Sequence, residues 1–472
     1  MSAAVMPRWG FLATPALLVG LIWLSVLFDE GVWGWLTGGL PALLITVTAG
    51  AWIVMPGDRH LLHFMSVGSL VGLAGAILGM PAWGFLVGLG LFLLSLLAAT
   101  VAGWIGVTYR ALPPTAPAAK LTPILALKEA LDNAVVGLFL SVPKIVHGES
   151  ESQRVADELD AALETFKNKG WDQDPSELLE TPPALDKPQI KRTRMAGHDV
   201  EVLRFESGYQ PHPDLPGSER WQGYAANRDA RAMVFRHDDD KQRPWLICVH
   251  GYMMGMPWMD LRLFEPRLLH EKLGCNVIMP LLPLHGGRKI RTLTGDGYFN
   301  GDVMDTFNAI RQSQWDIRRL MSWARTQGAK EFGAIGYSLG GYNVSLLSTF
   351  EELNMVIAAV PLADIPTIFW EHGPKHILDD MAMRGVTVER AAELTKPLSP
   401  LHRESLVSPE RRHIIAGVAD EIIPPGHVHL LEQAWQGTES TWYQGSHLVF
   451  KDQPIVNSTI AEKVEACFSP IR

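Results

Sequence analysis

The stretch that decides the fold is Phe332-Gly333-Ala334-Ile335-Gly336-Tyr337-Ser338-Leu339-Gly340-Gly341. An apolar run suited to a buried strand ends in Gly-x-Ser-x-Gly. Tyr342-Asn343-Val344-Ser345-Leu346-Leu347, directly behind it, can be helical. This is the strand–turn–helix setting of a nucleophile elbow, in which a serine is held out at the top of a sheet. The turn is too tight for side chains beside the serine, which accounts for Gly336 and Gly340. The pentapeptide arises by chance about 0.2 times in a chain of this Gly and Ser content, so its surroundings must carry the argument. Taken alone, it is equally a glycine-rich turn with a solvated serine.

Those surroundings alternate between strand and helix from about residue 188. Segments 200–205 and 232–236 are expected as leading strands. Trp245-Leu246-Ile247-Cys248-Val249 is a continuous apolar run, as expected of a buried parallel strand. A helix over 259–273, a strand over 276–281 and a long helix over 302–326 follow. After the elbow come strands over 355–361 and 412–417, a helix over 427–435, a strand over 441–443 and a last helix over 456–468. The alternation implies a mainly parallel sheet flanked by helices.

Ser338, Asp420 and His447 each fall just past the end of an expected strand, in that chain order. A serine is a poor nucleophile at neutral pH. His447 can take its proton, and Asp420 can hold the imidazole tautomer and stabilise the imidazolium. Glu421 or Asp364 remain rivals for the acid, and His285 or His427 for the base. His-Gly after the Trp245–Val249 strand, Gly-Tyr-Ser-Leu-Gly-Gly at the elbow, and the late Gly-x-Ala-Asp and Gly-Ser-His segments together resemble the α/β-hydrolase superfamily over residues 188–472. The resemblance implies an oxyanion hole made by the backbone N–H of Leu339 and one from the loop after Val249, Tyr252 first and Met253 second. His250, Met253, His285 and Trp370 are candidate pocket residues. An insertion over about 365–409 lies where this superfamily carries its cap. The methionines and Trp258 near the oxyanion loop suit an acyl chain or the core of the first helix equally.

The first 185 residues have no counterpart in that fold. Four apolar stretches, 10–28, 31–55, 61–80 and 82–109, each approach the ~20 residues needed to cross a bilayer. Gly68, Gly72, Gly75 and Gly79 suit close helix contacts. Trp23, Trp33, Trp35, Trp52, Trp83 and Trp104 are expected mostly near span ends. Arg8, Arg59 and Arg110 against Asp29 and Glu30 place both ends of this 1–111 domain, and the catalytic domain, in the cytoplasm. No Asp, Glu, Lys or Arg stands mid-span, which argues for an anchor and against an ion path. Between anchor and hydrolase, 112–187 is expected as a linker. It holds an amphipathic helix with Ile124, Leu127, Leu131, Val135, Leu138 and Val142 on one side and Lys128, Glu129, Asp132 and Asn133 between them. A polar helix over 149–169 follows.

The 472 residues are 47% hydrophobic and 19% charged, with net charge −9. That balance argues against a nucleic-acid partner. Cys248, Cys275 and Cys467 lack metal spacing, His270-Glu271 has no second His four residues on, and no glycine-rich phosphate loop occurs. Neither a metal nor a cofactor is expected. The expected activity is that of a multi-pass, membrane-anchored serine hydrolase on carboxylic esters, with the bilayer and a small-molecule or lipid ester as partners. An acyltransferase or thioesterase on the same triad, and a catalytically silent membrane scaffold, are the alternatives.

Overall fold

The computed structural model describes residues 9–28, 31–141, 148–449 and 454–470. Arg8, Asp29, Glu30 and Val142, used above for orientation and for the amphipathic stripe, lie outside the described residues. The chain forms two compact units. The first comprises Met1–Val142 with two returning segments, Gly417–Gly426 and Trp442–Gln453. The second comprises Pro143–Ala416, His427–Thr441 and Pro454–Arg472.

In the first unit, helices α1 (Thr14–Leu27), α2 (Val32–Val54), α3 (Arg59–Trp83) and α4 (Phe85–Tyr109) are long and apolar enough to cross a membrane, α1 together with the short turn Gly10–Ala13. Their outward side chains include Leu18, Leu36, Val47, Leu86 and Leu93, all exposed. A surface of that kind suits lipid, where association relies on close packing and not on hiding apolar groups. A Cβ at Gly75 would stand 2.3 Å from the Thr37 carbonyl oxygen, so α3 meets α2 backbone to backbone. The tryptophans divide. Trp33, Trp35 and Trp104 are exposed, but Trp23, Trp52 and Trp83 are buried in the bundle. Trp23 and Trp83 meet edge to face at 5.5 Å, and the Trp23 indole donates to Ser95 Oγ at 3.0 Å. Gly38 on α2 leaves room for the Trp23 ring, which a Cβ there would meet at 2.8 Å, and a buried hydroxyl satisfies its indole.

Helix α5 (Pro123–Ser141) reverses its expected polarity. Ile124 and Leu138 are exposed, whereas Glu129, Asp132 and Asn133 are buried beside Ala126, Ala130 and Ala134. Leu127, Leu131 and Val135 are only half-buried, so the carboxylates lie deeper than the apolar stripe, because α5 packs its small-residue face on α3 and α4.

The second unit opens with α6 (Glu149–Lys169), ended by left-handed Gly170. The sheet strands are β1 (Gln189–Met195), β2 (His198–Glu206), β3 (Asp229–Phe235), β4 (Trp245–Val249), β5 (Asn276–Pro280), β6 (Phe332–Tyr337), β7 (Met355–Ala359), β8 (Arg412–Gly417) and β9 (Glu439–Tyr443). Their order is β1-β2-β3-β5-β4-β6-β7-β8-β9. The β5/β4, β4/β6, β6/β7 and β7/β8 pairs are parallel; β3 runs antiparallel to both its neighbours. Without β1, this is the strand order of the α/β-hydrolase sheet.

Strand β1 was not singled out from sequence. Gln-Ile-Lys-Arg-Thr-Arg-Met has no apolar alternation because it is an exposed edge. Its turn, Ala196-Gly197, has φ of 46° and 86°, the two positive values of a tight hairpin turn. The helix expected over 259–273 is broken. Pro257–Phe264 stops at Glu265, whose φ is 41°, and Pro266 prevents continuation into Arg267–Lys272. The long helix Val303–Thr326 is capped by the Asp302 side chain, and its side chains are almost all buried.

Candidate active site

Strand β6 delivers Ser338 into a strained turn, with φ 57° and ψ −117°. A non-glycine residue there costs about 1–3 kcal/mol and persists only when its neighbours hold it. They do. The Ser338 N–H donates to the Ala359 carbonyl at 3.0 Å, and the Ser338 carbonyl accepts from Tyr342 and Leu362, both at 3.2 Å. A Cβ at Gly336 would lie 2.1 Å from the Gly340 carbonyl oxygen, and one at Gly340 would lie 1.9 Å from that of Val249. Both elbow glycines are steric necessities. Leu339 opens the helix Leu339–Leu347, so no carbonyl of that helix takes its N–H.

The loop after β4 runs past Ser338. A Cβ at Gly251 would stand 3.4 Å from Ser338 Cβ. Met253 has φ 59°. His250 is buried, its Nδ1 2.8 Å from the Gly251 carbonyl while its Nε2 accepts from the Leu282 N–H at 3.2 Å. His285 Nδ1 lies 2.8 Å from the Pro283 carbonyl, and burial, with His250 beside it, holds this imidazole well below the ordinary histidine pKa. Both histidines brace loops. The Tyr252 ring meets Phe299 at 4.9 Å. Phe299, Val303, Ile365, Phe369 and half-buried Trp370 line a small apolar cleft with a cavity volume of about 30 Å³.

The first unit holds the other two candidates. His447 Nδ1 lies 2.7 Å from Asp420 Oδ2, and Asp420 Oδ1 accepts from the Ile423 N–H at 2.7 Å. Both side chains are buried. The pairing puts the neutral imidazole proton on Nδ1 and leaves Nε2 as an acceptor. Burial pulls the His447 pKa down, but Asp420 beside it, and then Asp132, raise it above the ordinary value.

The rivals have other partners. Glu421 is gripped by Arg110 and lies 3.1 Å from His63 Nε2. Burial alone would raise its carboxyl, but Arg110 holds it below the ordinary range. Asp364 accepts from the Thr367 hydroxyl, in the first turn of the helix Ile365–His372. His427 faces the N–H groups of Ala363 and Asp364 and stands 3.5 Å from Glu371.

Groups from outside the hydrolase motifs surround Asp420 and His447. Asp132 Oδ2 accepts from the His447 N–H at 2.6 Å and from the Glu421 N–H at 3.4 Å; Asp132 Oδ1 accepts from the Leu448 N–H at 3.2 Å. Arg110, counted above as a loop charge, is buried and bonded to Glu129 at 2.5 Å as well as to Glu421. The available signal was Glu129 and Asp132, one turn apart on a helix directly after a candidate membrane span, where burial makes a carboxylate costly. Among the described residues, no group of three or more His, Cys, Asp or Glu side chains is arranged to hold a metal ion.

No protein-family model matches the chain. Its sheet is similar to those of acetyl xylan esterase 1 from Thermoanaerobacterium sp. (15% identity, 64% of this chain and 94% of that one, TM-score 0.45) and carboxyl esterase 2 from Tuber melanosporum (15%, 65% and 98%, TM-score 0.37). Overlaps this shallow carry no information about substrate. In sequence, the chain is 36% identical over 348 residues to two proteins of Mycobacterium tuberculosis, uncharacterized protein MT2702 and uncharacterized protein Rv2627c, covering 73% of this chain and 83% of each of theirs. The chain belongs to the same family as these two mycobacterial proteins, and its own fold is that of the α/β-hydrolases.

Proposed function

We propose that this protein is a membrane-anchored serine hydrolase that cleaves carboxylic esters through an acyl-enzyme. Ser338 attacks the ester carbonyl, and its proton passes to Nε2 of His447. The tetrahedral intermediate collapses, the C–O bond to the alcohol breaks, and His447 returns the proton to the departing oxygen. Water then repeats the sequence on the acyl-enzyme, releasing the acid and restoring Ser338. Asp420 keeps Nδ1 protonated and balances the imidazolium. The N–H groups of Leu339 and Tyr252 stabilise the oxyanion. The observation that carries this is the buried His447–Asp420 pair at 2.7 Å, the acid–base half that an elbow serine requires.

The substrate is an acyl ester drawn from the bilayer. Two features support it. Four helices are long and apolar enough to cross a membrane. The cleft beside Tyr252 is walled by Phe299, Phe369 and Trp370, apolar rings of the kind that receive an acyl chain. The anchor holds the site near membrane-dissolved substrate, with the catalytic domain on the cytoplasmic side.

The test is fluorophosphonate labelling of the full-length protein in membranes. Wild type is expected to label; Ser338→Ala and His447→Ala are expected to lose labelling, with ester turnover falling by about 10³-fold or more. Labelling that survives Ser338→Ala overturns the mechanism.

A further inference from the structure

Asp132 is buried on a helix that lies outside the hydrolase fold, and all three of its described hydrogen bonds come from backbone N–H groups of the two loops that carry the acid and the base. A single carboxylate therefore ties position 421, next to Asp420, to positions 447 and 448. Ionisable groups surround it. Glu129 belongs to the same helix, Arg110 ends α4, His63 comes from α3, and Glu421, Asp420 and His447 come from the loops. Arg110 bonds Glu129 and Glu421 together, and His63 contacts Glu421 from the other side. Burying this many ionisable groups is costly, and an anchor that served only as a tether has no need of it. Burial first, and then Asp420, push the Asp132 carboxyl up to about 7, against the pull of His447 and the N–H donors.

We infer that Asp132 is a positioning residue for catalysis, clamping the Asp420 and His447 loops in one register, so that the N-terminal helical unit is part of the catalytic apparatus as well as its address. The inference rests on the serine-hydrolase reading. A misplacement of 1 Å at a reacting group can lower a rate by about 10²-fold, which sets the scale available to such a clamp. An Asn at 132 keeps the shape but can accept through one atom only, while an Ala keeps neither.

The experiment uses the full-length protein in membranes or detergent, comparing wild type, Asp132→Asn, Asp132→Ala and, on the exposed face of α5, Leu138→Ala. Asp132→Asn is expected to lower the fluorophosphonate labelling rate and kcat on a p-nitrophenyl acyl ester by about tenfold, Asp132→Ala by up to about 10²-fold, with KM unchanged. The acidic limb of the pH–rate profile reports the base, which works unprotonated, so the rate rises with pH through its pKa. Removing the Asp132 charge removes one influence that raises the His447 pKa, and the limb is expected to move to lower pH. Hydrogen exchange in peptides covering 417–424 and 443–449 is expected to speed up in both Asp132 variants and not in Leu138→Ala. Wild-type labelling rate, pH limb and exchange in Asp132→Asn overturn the inference. The exchange comparison does not depend on turnover, so it decides the clamp even where labelling survives Ser338→Ala and the serine mechanism falls.

Discussion

The turn carrying Ser338 and the loops carrying Asp420 and His447 belong to different compact units and are held by different forces. The elbow is a backbone device. Its serine is set by a positive φ, by two glycines pressed against carbonyl oxygens, and by main-chain hydrogen bonds from the end of β7. The acid and base loops are held by side-chain charge, with Asp132 taking their N–H groups and Arg110 and His63 taking Glu421. Backbone packing tolerates almost no change of volume and is insensitive to pH. A buried charge cluster tolerates changes of shape better than the loss of one partner, and it responds to protonation. The elbow serine and the Asp420–His447 pair are thus placed with equal care by means that fail in different ways.

The largest effect that tests this contrast is expected at Gly340→Ala. A Cβ 1.9 Å from a strand carbonyl cannot be relieved by a rotamer, so the second unit should lose more than about 4 kcal/mol, seen as loss of folded protein on expression. A well-folded Gly340→Ala protein would mean that the elbow is softer than its geometry implies. Arg110→Met comes next. It leaves Glu421 and Glu129 buried without their cation and should destabilise the first unit by about 3–5 kcal/mol, measured by thermal melting of the full chain in detergent. If melting is unchanged, charge does not hold the acid loop. The smallest effect is expected at Lys375→Ala, which removes an exposed pair with Asp379 on the helix Lys375–Met383. Tm should move by less than about 1 °C, since solvent screens such pairs. The distance between the last two results would measure what burial does to an ion pair.

Much of this was legible in the sequence because it is local. Gly336-Tyr337-Ser338-Leu339-Gly340 describes its own turn. The runs that form β4 and β6 read as buried strands because both faces are covered, and the four N-terminal helices follow from length and apolarity. Other elements were not legible for equally physical reasons. Strand β1 is an exposed edge without alternation. The helix over 259–273 breaks at Glu265, where Pro266 gave the local warning but the positive φ belongs to the folded chain. Trp23, Trp52 and Trp83 read as interfacial by position, but they are buried because neighbouring helices leave room for them.

Helix α5 marks the limit most clearly. Its period of apolar residues determined that it is a helix, and composition determined its two faces. Which face turns inward was decided by tertiary structure, because the buried N–H groups of residues 421, 447 and 448 and the Arg110 guanidinium offer its carboxylates partners that water would otherwise supply. Short-range steric rules write the serine elbow into ten consecutive residues. The setting of His447 depends on groups from residue 63 to residue 448, and such long-range compensation of buried charge leaves no local pattern to read.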